Sequence, residues 1–236
     1  MHDKHSAVAH SEQHFEQSQL IRDVVIGMAD GLTVPFALAA GLSGAVDSNA
    51  IVITAGIAEI AAGSIAMGLG GYLAGKTEME HFDSELKREY YEVEHFHEKE
   101  KEEVREVFAA YGLSQQTQNI IADEMARDKD KWVDFMMKYE LGLEKPDAKR
   151  ARNSALNIGI AYIVGGIVPL SAYFFTEHPF EGLQYSSAIT VVCLFTFGYF
   201  KAKYTGQPAL SGAFKTLAIG VIAAAAAYFI AKAIGS

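Results

Sequence analysis

Two carboxylates, Asp30 and Glu59, stand inside runs of apolar and small residues long enough to cross a bilayer. An ionised carboxylate at the bilayer centre costs at least ~2.5 kcal/mol on insertion scales, so it normally faces a pathway or a partner. No Lys or Arg lies deep in any apolar run to pair with either acid. Two chemistries fit: reversible binding of a cation or proton along a path, or a protonated acid hydrogen-bonded to a neighbouring helix. Met67 follows Glu59 by about two helical turns. Its thioether suits a borderline transition metal better than Mg²⁺ or Ca²⁺, and it equally suits packing.

A second group of acids is outside the membrane runs. From Glu78 to Glu106 there are twelve Asp/Glu against five Lys/Arg. With about 100° per residue and Glu89 at zero, Glu92 falls near −60°, Glu100 near +20°, and Glu85 and Glu103 near −40°. Five carboxylates then share one stripe under about 90° wide. Like charges on one face repel, so the stripe costs stability unless something cationic neutralises it. Clustered carboxylates bind hard divalent cations, and borderline ones such as Fe²⁺ accept them too. The alternative is a solvated face with Lys87, Arg88, Lys99, Lys101 and Arg105 as i,i+4 partners.

The elements that must position these residues are helices, and the fold class is an all-α integral membrane protein. Five segments can span: Ile21 to Val46, Asn49 to Ala74, about Ser154 to Phe175, about Ser186 to Phe200, and about Leu210 to Ile234. The fourth is short and would borrow flanking residues. Between Lys76 and Gly112 there is no Pro or Gly, so one helix is expected to leave the membrane and continue to the Gly112 cap. Ser114 can cap a second insert helix, Gln115 to about Arg127, and a third runs about Asp130 to Leu141. After Pro146, a basic lead-in over 147–153 enters the third span. The expected domains are a polar tail (1–19), spans one and two (20–75), a three-helix insert (76–147) and spans three to five (148–236).

Composition narrows the function. The chain has 236 residues, half of them hydrophobic, with a net charge of −9 and one Cys, Cys193. One Cys excludes an internal disulfide and a Cys-based zinc site. The start of the chain is polar, with His2, His5, His10 and His14, and lacks the apolar core of a secretory signal. It has no basic cluster to bind nucleic acid. Arg22, Lys76, Lys149, Arg150, Arg152, Lys201, Lys203 and Lys215 fall on one side of a five-span arrangement, which predicts a cytosolic N-terminus and insert and a C-terminus on the far side. Gly27 with Gly31, and Gly71 with Gly75, predict close helix approach on both early spans, and Pro35 can kink the first.

The string Asp30-Gly31-Leu32-Thr33-Val34-Pro35-Phe36-Ala37-Leu38-Ala39-Ala40-Gly41-Leu42-Ser43-Gly44-Ala45 resembles the first-span signature of the vacuolar iron transporter family, plant type. The resemblance continues over nearly the whole chain. It implies a homodimer of five-span subunits in the vacuolar membrane that moves Fe²⁺ from cytosol to vacuole in exchange for protons. It implies a translocation path between the subunits whose ligands match Asp30, Glu59 and Met67. It implies that the insert binds metal through Glu89, Glu92, Glu100 and Glu103, with Met136, Met137 and Glu140 from its third helix. No prosthetic group is implied; Fe²⁺ is the substrate, and Zn²⁺, Mn²⁺ and Co²⁺ are further ions the sites could take. The C-terminus would be lumenal. Read without the family, Met136 and Met137 point ~100° apart, so Trp132, Phe135 and one Met would form a small core with the other Met exposed.

Three other functions share these residues. Glu92-x-x-His95 and Glu94-x-x-His97 fit half of a ferritin-like di-iron oxidase, but that site needs such motifs on two helices and Glu from two more. The second and third insert helices contain no His. A transporter mainly for Mn²⁺ has the same ligand types. A sensor that moves nothing would not need acids inside the membrane.

Overall fold

The computed structural model describes residues 4–235, and side chains from 19 to 234. The histidines at 2, 5, 10 and 14 lie outside the described side chains. The described residues contain helices and no strand. They are α1 (Lys4–Ser43), α2 (Asn49–His95), α3 (His97–Ala110), α4 (Gln115–Met125), α5 (Lys129–Phe135), α6 (Arg150–Ser171), α7 (Pro179–Tyr204) and α8 (Ala209–Gly235). A π-helical turn, Met136–Glu140, follows α5, and a 3₁₀ turn, Ala172–Phe175, extends α6. The chain divides into two compact units, with boundaries at Tyr72/Leu73 and Ala151/Arg152.

Among the described residues, five helical segments are long and apolar enough to cross a membrane: Gln19–Ser43, Asn49–His95, Arg150–Phe175, Pro179–Tyr204 and Ala209–Ile234. The fourth differs from the expectation of a short span. It begins at Pro179 and has 26 residues. Pro lacks only an N–H that the first helical turn leaves unbonded anyway, so the stretch read as a loop is the start of the helix.

Small residues set the packing of this unit. A Cβ on Gly27 or Gly31 would collide with the α6 backbone at Ile158 or Tyr162, and one on Gly165 would lie 2.9 Å from Leu32 N. α1 and α6 therefore cross with their backbones touching. α2 lies against α6 the same way, through Gly68 and Gly71 against Ala155 and Ser154. α1 runs through Pro35 without a break. Ala39, Val52, Ile60, Leu170 and Tyr173 form one buried cluster, and Ser43 Oγ and Tyr173 Oη are hydrogen-bonded at 2.9 Å beside it.

The insert departs from the expected three helices. The helix expected to run unbroken to Ala110 stops at His95 and restarts at His97. Phe96, at φ −123° and ψ 36°, is the only residue between the two helices. Its N–H closes α2 on Glu92 O, and its carbonyl accepts from Lys99 and Glu100 to open α3. The physical reason is burial. Val93 and Val104 sit in one core with Phe82, Ala122, Trp132, Val133, Met136 and Met137. On a straight helix the two valines would be about 16 Å apart. Apolar burial outweighs helix propensity here.

The other insert boundaries follow local chemistry. Ser114 Oγ accepts from Thr117 N to cap α4, and Asp128 Oδ1 accepts from Lys131 N to cap α5. Gly112 (φ 78°) and Gly142 (φ 64°) take the left-handed conformation after α3 and after the π turn. The final turn of the third insert helix is π rather than α, and the basic lead-in becomes helical only at Arg150.

Candidate functional site

The turn at Phe96 brings acids together that a straight helix would separate. Glu89 comes from α2, Glu100 from the first turn of α3 and Glu140 from the π turn. Each can place a carboxylate oxygen within 4.8 Å of the other two. Glu89 is 1% exposed and Glu100 is 0% exposed, while Glu140 is open to solvent. Glu89 Oε2 and both oxygens of Glu100 are buried and accept no hydrogen bond from the described residues. Such oxygens are costly to bury unless a cation or proton meets them. A divalent ion with oxygen ligands fits this donor set.

The electrostatics agree with the geometry. Burial first, then the charges of Glu140 and Glu92, push the Glu89 carboxyl up to about 7. Burial first, then Glu103 and Glu89, push Glu100 up to about 7. Glu140 is exposed as a residue, yet partial desolvation of its carboxyl, followed by the Glu103 charge, also raises it.

Glu92 and Glu103 flank the trio, half-buried and held by cations. Arg88 lies 2.5 Å from Glu85, 3.7 Å from Glu92 and 3.9 Å from Glu89. Lys99 lies 2.7 Å from Glu103 and 3.9 Å from Glu100. The expectation that one of Met136 and Met137 would be exposed does not hold: they are 0% and 2% exposed, both in the insert core with Trp132. The wide π turn, in which Leu141 N bonds back to Met136 O, carries these residues and then Glu140.

The membrane carboxylates form a separate arrangement. Glu59 on α2 is half-buried and accepts a hydrogen bond on Oε1 from Tyr162 Oη of α6. Its Oε2 is buried without a hydrogen-bond partner among the described residues. Gly63, one turn after Glu59, makes the slot: a Cβ there would collide with the Tyr162 hydroxyl. Across α6, Gly31 lets α1 reach the Tyr162 backbone, which places the half-buried Asp30 one residue away. Met67 is half-buried two turns further along α2. Asp23, two turns before Asp30, is 1% exposed and accepts from Ser154 Oγ at 3.2 Å. Tyr162 and Asp23 were not singled out by sequence reasoning. A tyrosine four residues after Ile158 in an apolar helix gives no local signal, and Asp23 reads as the polar edge of a span.

Comparison with known proteins adds an independent line. The family model described as the VIT family matches residues 21–232. The chain is 49% identical to Vacuolar iron transporter 1 of Tulipa gesneriana over 227 residues, 96% of this chain and 92% of that protein. It is 50% identical to Vacuolar iron transporter 1 of Arabidopsis thaliana over 225 residues, 95% of this chain and 90% of that protein. Protein CCC1 of Saccharomyces cerevisiae is 39% identical over 226 residues, 92% of this chain and 70% of that protein.

Proposed function

The chain belongs to the VIT family, and from that premise we propose that it carries Fe²⁺ from the cytosol into the vacuole in exchange for protons. It works as a homodimer in the vacuolar membrane, with its N-terminus and insert cytosolic and its C-terminus lumenal. The Lys and Arg bias of the membrane-flanking segments supports that orientation. The observation that carries the reading is the Glu59–Tyr162 contact inside the candidate spans, with a second Glu59 oxygen buried and without a hydrogen-bond partner among the described residues.

In the mechanism, Asp30, Glu59 and Met67 supply the ligands of the path. A carboxylate there holds a proton or a divalent ion, since both compete for the same lone pairs. Alternating access then exchanges Fe²⁺ arriving from the cytosol for protons from an acidic lumen. The Tyr162 hydroxyl fixes one oxygen of Glu59 and leaves the other for the ion. The insert gathers cytosolic ions on Glu89, Glu100 and Glu140, with Glu92 and Glu103 beside them and Met136 and Met137 adding soft character. Zn²⁺, Mn²⁺ and Co²⁺ compete there, because ligand type alone does not select among them.

Proteoliposomes holding only this protein test the proposal. Fe²⁺ entry, measured anaerobically, is expected to drive proton movement in the opposite direction and to dissipate an imposed pH gradient. Iron entry with no proton flux would overturn the exchange, and faster Mn²⁺ than Fe²⁺ entry at equal concentration would favour a manganese transporter.

A further inference from the structure

We propose that Arg88 and Lys99 are tethered counter-ions of the insert's carboxylate cluster, which an entering divalent ion must displace to bind. The inference rests on the reading of that cluster as a metal site and concerns what guards it.

Between them these two side chains touch five acids: Arg88 meets Glu85, Glu89 and Glu92, and Lys99 meets Glu100 and Glu103. These are the five carboxylates of the sequence stripe. His81 Nδ1 lies 3.9 Å from Glu85 and is a cation only when protonated; the other paired Lys and Arg near them face elsewhere. Lys101 pairs with Glu98 and Asp123, Arg105 with Glu102, and Lys129 with Glu94. The insert therefore has two classes of cation, and one class is spent on the cluster.

Charge conservation explains the arrangement. One divalent ion carries the same charge as the two side chains it displaces, so the net charge facing the five acids is unchanged by the exchange. The two cations are accessible enough to leave: their side chains are 49% and 66% exposed, while Glu89 and Glu100 stay in the core. Exposed ion pairs of this kind are weak. An ion that binds carboxylates directly can displace them. Monovalent ions gain too little, and Mg²⁺ gives up its waters reluctantly. Arg88 and Lys99 thus set a threshold common to all divalent ions, which those that bind carboxylates strongly clear and the abundant Mg²⁺ does not.

The test uses the full-length protein in detergent at pH 8, where proton competition is small, with Co²⁺ as the probe. Arg88→Gln with Lys99→Gln is expected to bind both Co²⁺ and Mg²⁺ at least three-fold more tightly. Lys101→Gln should leave both unchanged. In the unmodified protein, Co²⁺ should at least double the acylation of Lys99 by an N-hydroxysuccinimide ester, relative to Lys101, read by mass spectrometry. That measurement needs no variant to fold. Unchanged or weaker affinity in the double variant, or Co²⁺ binding without release of Lys99, overturns the inference. If Glu89→Gln with Glu100→Gln leaves Co²⁺ binding intact, the metal-site reading itself has failed.

Discussion

At the scale of single residues, Glu89 and Glu100 make the clearest quantitative statement. Both carboxyls are raised to about 7, chiefly by burial. Each is a group whose folded form holds its proton above the pH at which the unfolded form releases it. The unfolded chain ionises near 4.5, and the folded one near 7. Between those values the folded state binds more protons, so its stability falls as pH rises through that window. Thermal unfolding of the insert without added metal should therefore occur at lower temperature at pH 8 than at pH 5, with Co²⁺ restoring most of the difference. Metal affinity should rise with pH, by about five-fold per proton displaced between pH 6 and 7, and level off above that. A flat affinity profile from pH 6 to 8 would show that the ion does not meet these two oxygens. The sequence identified both acids, yet their burial was not legible in it, because burial depends on a turn with no local signal.

At the scale of elements, the five candidate spans were readable because apolar length is a direct physical requirement of a bilayer. The turn at Phe96 was not. Glu, Lys and Arg on both sides favour helix, and neither Gly nor Pro marks the break. What ends α2 is the shared burial of Val93 and Val104, a long-range effect. The helical wheel put five acids on one face of a single helix, whereas Glu85, Glu89 and Glu92 lie on α2 and Glu100 and Glu103 on α3, on either side of the turn. Glu140 was legible only through the family resemblance. The α2–α6 pair carries its own prediction. Gly63 makes room for the Tyr162 hydroxyl, which bonds Glu59. Tyr162→Phe should keep the fold, since the ring stays, and slow Fe²⁺ transport about ten-fold, the order of one lost hydrogen bond to a charged group. Gly63→Ala should produce a similar loss by pushing the hydroxyl away. Full transport by Tyr162→Phe would show that the contact is structural.

At the scale of the whole molecule, the chain keeps two carboxylate systems in two compact units. One has Asp30 and Glu59 within the candidate spans, and the other has Glu89, Glu100 and Glu140 in the insert. Their chemistry is alike and their surroundings differ. The insert acids can exchange ions with water at their exposed member, Glu140, whereas the span acids are half-buried between packed helices. Separate units predict separable losses. Asp30→Ala and Glu59→Ala should each abolish Fe²⁺ uptake into vacuoles, because each removes a path ligand that no neighbouring side chain replaces. Co²⁺ binding to the insert should survive in both variants. Glu89→Gln with Glu100→Gln should do the reverse, removing insert binding and leaving slower uptake that recovers as external Fe²⁺ is raised. The informative quantity is the concentration dependence: a loading site alters the iron concentration for half-maximal uptake, and a path ligand alters the maximal rate. If Asp30→Ala changed only the half-maximal concentration, its carboxylate would be a point of capture and the path would run elsewhere.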